Sequence, residues 1–520
     1  MKKIYWAILL AGIVSTGLFT ACNKQAGVAA AGADPYANAP REVSMTVLDR
    51  GQIPAAEGTY EDNRWVRWIN ENSPVKVTFV PVTRSDATSK INALFAAGNA
   101  PDIVWEYNKS FMDGLYAQGV IQPVGDYVEK YSVAYKQYLK DNPQIVPYLM
   151  EDDGKMYGIS SQRNILGIVN QSIWIRNDWV QKFNMKIPTT TDEAIAFMRR
   201  VRDEDPDGNG QKDTFGMSSN YGWGTITRTM FGNPYDGFMV KDGHYVDWAS
   251  TPAYRENLAF KRQLYTEGLM DPEFITDNNY ARQRQLIVTG KVGMIFQGLS
   301  ITGEWRELMQ NVPTADFIPI EPLETNQGRF GFNSEVPILK MVVMNKTARN
   351  PKAIMEYLDW LITDGYYALS WGEEGRHYKL VNGIPQTIDA ERNKIEKDWL
   401  SGNYEFALVD NNKITLDWIP IQAAQDPISQ AWAKVYQQAV DIGIRNPWTY
   451  VVPYGPASDT IAAYNSSVAA QLEALETNIM TGKISVDEGL KQINDYKKAS
   501  GWDAVIAEKD AWYQKNKHLF

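Results

Sequence analysis

Cysteine is almost absent from this chain, since Cys22 is the single cysteine among 520 residues. One cysteine cannot form a disulfide within the chain, so internal disulfides are excluded. Histidine is nearly as scarce: His244, His377 and His518 lie far apart in sequence and have no metal-ligand spacing. Zinc-dependent hydrolysis and Ser-His or Cys-His catalysis therefore have few residues to use.

Long hydrophobic runs are missing after the amino terminus. Met1-Lys2-Lys3 precedes an apolar run from Ile4 to Phe19, which predicts a secretory signal peptide over residues 1–21 rather than a spanning helix. No later run approaches the length of a membrane span. No G-x-x-x-x-G-K loop occurs either, so an ATPase working with this chain would be a separate protein.

Positive charge is also in deficit. The chain has 52 Lys and Arg against 62 Asp and Glu, giving a formal net charge of −10. This balance argues against nucleic acid and against an anionic bilayer as partner surfaces. A small neutral or cationic ligand is the easier one to accommodate.

The position of the lone cysteine suggests its role. The segment Leu18-Phe19-Thr20-Ala21-Cys22 resembles the cleavage box of bacterial lipoproteins, although Phe19 stands where that box usually has Leu. We therefore expect Cys22 to be acylated, the alternative being an incidental cysteine in a signal peptide. Residues 22–40 then form a flexible tether, because Asn23–Pro40 is rich in Ala, Gly and Pro.

The most specific motif lies between Asp205 and Thr214. It places oxygen-bearing residues at every second position: Asp205, Asp207, Asn209, Gln211 and Asp213. The first three match positions one, three and five of the calcium loop D-x-[DN]-x-[DN]-G. Gly210 supplies the turn, Gln211 a backbone carbonyl and Asp213 position nine.

The twelfth position of this loop departs from the calcium pattern. It is Gly216, where an EF-hand has a bidentate Glu. We therefore expect a static structural calcium ion rather than a signalling switch. The alternative is a solvated turn, which Asp, Asn and Gly form for their own conformational reasons.

Strand and helix patterns alternate through the body of the chain. The sequence pattern predicts strands at Ser44–Leu48, Val75–Val80 and Asp102–Trp105. It predicts helices at Glu61–Ile69 and Ile91–Ala97. The Thr190–Glu193 segment offers a capping box for a helix that carries Ala194, Phe197, Met198 and Val201 on one face. The tail from Ser466 onward is predicted to be helical, with Ser485 as a cap. Pattern alone thus predicts an alternating α/β protein of two domains.

Several segments resemble the carbohydrate-type extracellular solute-binding proteins of ABC importers, in the large lipoprotein branch related to algin-binding proteins. They are Asn92–Val104, Lys155–Ile159, Ile173–Val180, Ile187–Glu193, the loop from Asp205 to Gly216, Thr289–Met294 and Trp371–Tyr378. The resemblance implies an α/β, two-lobed periplasmic-binding-protein-like fold with discontinuous lobes joined by hinge crossovers. It also implies a structural calcium ion at the loop.

The resemblance further implies lobe boundaries and a function. Lobe 1 comprises residues 41–162 and about 330–390, and lobe 2 comprises 163–329 and about 391–520. Crossovers are expected near Gln162–Val169, Pro319–Pro337 and Ile384–Trp418. The implied function is that of a monomeric, lipid-anchored receptor on the extracytoplasmic face of the membrane, which captures an oligosaccharide and delivers it to ABC permease subunits.

Aromatic residues are the candidates for sugar binding. Sugar rings offer flat apolar faces rimmed by hydroxyls, and the chain has 17 Trp and 28 Tyr, most of them expected in the core. Strand ends and loops supply the exceptions: Trp105, Glu106, Tyr107, Arg163, Trp223, Gln297 and Trp371. Trp305, Asn333 and Trp448 form a weaker second group.

Two other functions remain open at this point. Sixty-two acidic residues could include a catalytic pair, as in a glycosidase or polysaccharide lyase, although none stands in a recognisable catalytic frame. The third hypothesis is a cell-surface adhesion or sensor module. The family resemblance favours a binding protein without enzymatic activity.

Overall fold

The computed structural model describes residues 34–107, 109–151, 153–218, 230–233, 237–277, 280–299, 301–333, 337–400, 402–404, 416–417, 419–421, 426–448 and 459–517. The predicted signal peptide, Cys22 and Trp223 lie outside these residues. Backbone contacts divide the chain into Met1–Pro40 and a unit formed by Arg41–Phe520. In the first of these, the Tyr36 amide donates to Asp34 Oδ1 at 3.0 Å within a turn.

The first sheet has six strands: β1 (Glu42–Asp49), β2 (Lys76–Thr83), β3 (Ile103–Glu106), β4 (Ile121–Gln122), β5 (Gly158–Ile159) and β13 (Met341–Asn345). Their order is β2-β1-β3-β13-β4, and β5 also pairs with β13. β1 is parallel to both β2 and β3, whereas β13 is antiparallel to β3, β4 and β5. The three strands predicted in this region are confirmed, and their carboxyl ends share one edge.

Helices cover the first sheet. They are α1 (Arg64–Asn72), α2 (Ala87–Ala96), α3 (Lys109–Ala117), α4 (Gly125–Tyr131), α5 (Ala134–Asp141), α12 (Pro351–Ile362), α13 (Tyr366–Trp371) and α14 (Ala390–Glu396). A hairpin follows α13, formed by β14 (Tyr378–Val381) and β15 (Ile384–Thr387). Trp399, Leu400 and Tyr404 pack in the same core, beyond the boundary near residue 390 expected for lobe 1.

The second sheet has four strands: β6 (Gln171–Arg176), β7 (Phe215–Ser218), β10 (Val292–Gly298) and β11 (Phe317–Ile320). Their order is β11-β6-β10-β7. β10 is parallel to β7 and antiparallel to β6, which is also antiparallel to β11. Short pairs join β8 (Phe238–Lys241) to β9 (His244–Asp247) and β12 (Phe332–Asn333) to β16 (Pro447–Trp448).

The helices of this second half are α6 (Ile165–Ile168), α7 (Asn177–Lys182), α8 (Thr191–Asp203), α9 (Pro252–Thr266), α10 (Ala281–Val288), α11 (Thr302–Asn311), α15 (Pro427–Arg445), α16 (Asp459–Met480), α17 (Val486–Ala499) and α18 (Trp502–Asn516). Short 3₁₀ turns occur at Ala55–Glu57, Arg84–Asp86, Pro143–Leu149, Trp248–Ser250 and Pro272–Thr276. Within the described part of the chain, no helix combines the length and apolarity needed to cross a membrane.

The start of α8 follows its sequence closely. Thr190 Oγ1 accepts a hydrogen bond from the Glu193 amide at 3.2 Å, while Glu193 Oε2 accepts from the Thr189 amide at 2.7 Å. The return bond of the predicted capping box thus reaches one residue further back than expected. The predicted apolar face is fully buried, with Phe197 and Met198 both 0% exposed. The helical tail is also confirmed, and Ser485 caps α17.

Two chain segments connect the sheets. Residues 160–170 run from β5 to β6, and residues 321–340 run from β11 back to β13. The two connections pair with each other, because Gln162 forms a bridge with Ile338 and the Arg163 amide donates to the Pro337 carbonyl at 2.6 Å. Both join the first sheet beside the end of β3 and the second sheet beside the end of β10.

Candidate functional site

The carboxyl ends of β1, β2 and β3 form what we call the first edge. Ligands of α/β sheets bind at such edges, because the loops that follow parallel strands converge there. Arg50, Arg84 and Tyr107 directly follow the three strands, and all three side chains are half-buried. Topology therefore brings two cations and an aromatic ring together from distant parts of the sequence.

Tyr107 is the centre of the first edge. The Arg84 guanidinium carbon lies 5.2 Å from the centroid of its ring, and that of Arg50 lies 5.8 Å away. Arg50 Nη2 also donates to the Tyr107 hydroxyl at 2.9 Å, while Arg50 Nε donates to Asn403 Oδ1 at 2.9 Å. Cation–π contacts and hydrogen bonds fix the ring and the guanidinium groups in one arrangement.

Glu106 forms hydrogen bonds with both Arg84 and Tyr107. Its side chain is buried, and Arg84 Nη1 donates to Oε1 at 2.8 Å. Oε2 accepts from the Tyr107 amide at 3.1 Å. A buried carboxylate needs such partners, so Glu106 is occupied in orienting Arg84 and Tyr107.

Trp105 does not offer a ring face to solvent, and the prediction that it lies at the binding surface is wrong. The residue is 0% exposed, its Nε1 donates to the Thr46 carbonyl at 2.9 Å, and Lys340 Nζ lies 4.7 Å from its ring centroid. The reason is that β3 is a central strand covered on both faces, so alternate residues are equally buried.

The ends of β7 and β10 and the start of β6 form the second edge. Ser172 pairs with Gln297, and Ser218 pairs with Ile295, so these side chains lie on one face of the sheet. On the same side, Gln283 Nε2 of α10 donates to the Ser218 carbonyl at 3.3 Å. Gln297 itself is half-buried, as a cleft residue should be.

Some buried polar atoms at the second edge are unpaired within the part of the chain that the structure describes. Ser172 Oγ, Ser218 Oγ and Gln283 Oε1 have no hydrogen-bond partner among the described residues, although all three side chains are at most 1% exposed. Buried polar atoms are normally paired, so such orphans mark a place where water or a ligand completes the network. The second edge is thus polar and uncharged at these positions.

The remaining ligand-binding candidates are dispersed. Arg163 lies in the first connection and is half-buried, and Trp371 ends α13 and is also half-buried. Trp223 lies outside the described residues. Of the second group, Trp305 is a core residue, because it is 3% exposed and its Nε1 donates to the Phe317 carbonyl at 2.9 Å.

The structure brings together the other two members of the second group. Asn333 pairs with Trp448 in the short parallel ladder of β12 and β16. Their backbones are adjacent although the two residues are 115 positions apart in the sequence. The ladder ties the return connection to the segment that follows α15.

Arg50 and Arg84 are the residues that the sequence interpretation missed. Both immediately follow strands of the structure, but the predicted strands ended earlier, at Leu48 and Val80. With the strand ends at Asp49 and Thr83, the strand-end criterion that selected Tyr107 would have found both arginines.

The Asp205–Thr214 loop is compact in the structure. Gly208 and Gly210 have φ values of 71° and 81°, and Asp205 itself has a φ of 47°. Asp205 Oδ1 accepts from the Gly208 and Asn209 amides, and Oδ2 accepts from the Gly210 amide at 2.9 Å. These backbone hydrogen bonds, led by that of Gly210, lower the pKa of Asp205.

Lys291 adds a cation to this loop. Its Nζ lies 2.5 Å from Asp207 Oδ2 and 2.8 Å from Asp213 Oδ2. The hydrogen bond from Lys291 lowers the pKa of Asp213, and Asn209 Nδ2 donates to both carboxylates. Among the described residues, no group of three or more His, Cys, Asp or Glu is arranged as a ready metal site. The oxygen ligands suit calcium in type, but an ammonium group already contacts two of them.

Comparison with known proteins identifies the family. Residues 58–368 match the model of the bacterial extracellular solute-binding proteins. Lipoprotein LipO of Bacillus subtilis (strain 168) is 24% identical over 469 residues, covering 85% of this chain and 87% of LipO. The polygalacturonan/rhamnogalacturonan-binding protein YtcQ of the same organism is 24% identical over 460 residues, covering 85% of this chain and 86% of YtcQ.

A solved structure shows the same fold. The HMO-binding, ABC-transporter-associated solute-binding protein of Bifidobacterium longum infantis superposes with a TM-score of 0.72 at 17% identity, over 92% of this chain and 99% of that protein. The predicted two-lobed α/β fold is confirmed by this similarity. The family match spans both paired connections and every strand of the two sheets except β1, and the chain belongs to the bacterial extracellular solute-binding protein family.

Proposed function

We propose that this protein is a lipid-anchored receptor that captures an oligosaccharide outside the membrane and delivers it, chemically unchanged, to the permease of an ABC transporter. The observation that carries the proposal is topological. The two edges lined by polar side chains lie where the same pair of connections joins the sheets. A ligand held by both edges would close the two lobes around itself.

The chemistry of the two edges supports a sugar ligand. At the first edge, Tyr107 provides an aromatic ring beside two guanidinium groups. At the second edge, hydroxyl and amide groups offer hydrogen-bonding capacity for sugar hydroxyls. The names of the relatives, which include a polysaccharide-binding protein and an ABC-transporter-associated binding protein, point the same way. We further propose that the receptor acts as a monomer.

Replacing Tyr107 with alanine should weaken oligosaccharide binding by about 2 kcal/mol, or some thirtyfold, because an aromatic anchor is lost. Calorimetric titration against plant and algal oligosaccharides measures this, and Tyr513→Ala in α18 serves as a control for losing a half-buried tyrosine elsewhere. The bound sugar should return from an overnight incubation at its original length by mass spectrometry. Shortened or unsaturated products at catalytic yield would favour a glycosidase or lyase instead.

Acylation of Cys22 is the proposed means of anchoring. Cys22→Ser should abolish incorporation of labelled fatty acid and remove the mature protein from the membrane fraction, because the thiol is the acceptor. Asn23→Ser, at the adjacent position, should keep the label. Failure of the unmutated protein to incorporate label would refute the anchor.

We also propose that Asp205, Asp207, Asn209, Gln211 and Asp213 hold a structural calcium ion. An ion bound only by the folded state adds its binding free energy to stability. Chelation should therefore lower the melting temperature, and Asp207→Ala should remove that response. An unchanged melting curve, after metal analysis shows the chelated protein to be calcium-free, would rule out the site.

Lys291 sharpens this test, because its ammonium group and calcium would compete for Asp207 and Asp213. Lys291→Met should therefore increase the drop in melting temperature that chelation produces. Oligosaccharide binding should survive the loss of calcium, because the loop leads into β7 at its amino end, away from the second edge.

A further inference from the structure

The charge of the first edge differs from that of the whole chain. The protein carries a formal net charge of −10, which favours a neutral or cationic ligand. At the first edge, however, Arg50 and Arg84 lie close together, and the one buried carboxylate there, that of Glu106, pairs with Arg84. Recognition depends on local charge, so this edge has to be considered separately from the net charge.

Arg50 forms hydrogen bonds but no ion pair with the residues that the structure describes. Its two hydrogen bonds go to neutral acceptors, the Asn403 side-chain oxygen and the Tyr107 hydroxyl. Among the described residues no carboxylate forms an ion pair with it, and the neighbouring Asp49 turns back to the Gly51 amide at 2.8 Å. A half-buried guanidinium without a counter-charge is costly, and a bound anion would relieve that cost.

Arg84 uses one of its guanidinium nitrogens in the pairing with Glu106. Its Nη1 is paired with Glu106, but its Nε and Nη2 have no partner among the residues that the structure describes. Its side chain is 38% exposed, so these groups are accessible. Planar guanidinium groups bind carboxylates through two parallel hydrogen bonds, and the pairing with Glu106 fixes the direction of the fork.

Resting on the proposed function, we propose that the captured oligosaccharide is acidic and that its sugar carboxylates bind to Arg50 and Arg84 beside Tyr107. The second edge, where the named polar groups are uncharged, then binds hydroxyls of the same chain. A uronate-containing oligosaccharide provides both kinds of group, with apolar ring faces for the tyrosine.

Three probes of equal length test this proposal: trigalacturonate, its fully methyl-esterified form, and a trisaccharide that carries sulfate groups but no carboxylates. Titration calorimetry should show trigalacturonate binding at least tenfold more tightly than the ester, with affinity falling as salt is raised. Arg50→Gln should weaken trigalacturonate binding tenfold or more and change ester binding less than twofold. Arg50→Lys keeps the positive charge but loses the planar pair of donors, so its affinity for trigalacturonate should lie between those of the wild type and Arg50→Gln.

The control is Arg41→Gln, which removes the same charge at the opposite end of β1. Arg41 is exposed and paired with Glu356 at 2.9 Å, so its loss should leave affinity unchanged. Tighter binding of the sulfated probe, or an equal loss of both ligands in Arg50→Gln, would overturn the carboxylate assignment. Binding of the neutral ester alone would also overturn the carboxylate assignment, but it would leave the receptor function intact. If the protein bound neither the three probes nor any member of a wider oligosaccharide panel, the receptor function and the carboxylate assignment would both be refuted.

Discussion

Trp105→Ala should lower the free energy of unfolding by about 3–5 kcal/mol, the usual cost of truncating a fully buried tryptophan. The side chain fills the space between β3 and its neighbours, and the substitution also removes the hydrogen bond to the Thr46 carbonyl and the ring beneath Lys340. Urea denaturation monitored by circular dichroism measures the loss. Oligosaccharide affinity, measured where the variant is still folded, should change little.

Tyr107→Ala provides the matched comparison, because the two residues stand two positions apart at the end of one strand. Tyr107 is only half-buried, so its removal should cost about 1 kcal/mol of stability and act mainly on binding. A Trp105→Ala variant with wild-type stability and lost sugar affinity would restore Trp105 as a binding residue.

Glu396→Gln should destabilise the protein by about 2 kcal/mol at pH 7, since it removes the charge that joins α1 to α14. Glu396 accepts from Arg376 Nε and Nη2 at 2.7 and 2.8 Å, and Arg64 Nη1 lies 2.9 Å away. These cations, led by Arg376, outweigh burial and lower the pKa of Glu396 to about 2. His377, itself buried with a lowered pKa, completes the cluster.

The pH dependence of this effect has a definite sign. The folded-state pKa of Glu396 lies below its ordinary value of 4.5, so the carboxylate stabilises the fold above that value. The contribution is lost as pH falls from about 4.5 towards 2. The difference in unfolding free energy between wild type and Glu396→Gln should therefore shrink over this interval. A difference that stays constant from pH 7 to pH 3 would contradict the assigned ion pairs.

Local signals predicted much of the fold. The Thr190 cap and the face from Ala194 to Val201 follow from spacing alone, because capping and amphipathicity are properties of adjacent residues. The insertion of β13 between β3 and β4 depends on contacts between distant segments, and no pattern in Met341–Asn345 specifies it. The position of Tyr404 is equally non-local, since its ring reaches the first core through a stacked contact with Tyr60.

The candidate site was predictable only in part. Glu106 and Tyr107 were found because they follow a recognisable strand. Trp105 was misjudged because a four-residue strand does not reveal how many of its faces are covered, and here both are. Arg50 could not be predicted to lack an ion pair in the described part of the chain, because its partners Asn403 and Tyr107 lie 353 and 57 residues away in sequence.

The place of β13 in the first sheet also sets the order in which the chain can fold during synthesis. Residues 341–345 form the strand that pairs with β3, β4 and β5, so the amino-terminal half emerges from the ribosome without a central strand. Until then β3 and β4 present open edges that cannot complete a stable sheet. Pairings of such long sequence separation also form slowly. The first sheet can therefore be completed only after residue 345 of 520 has been made.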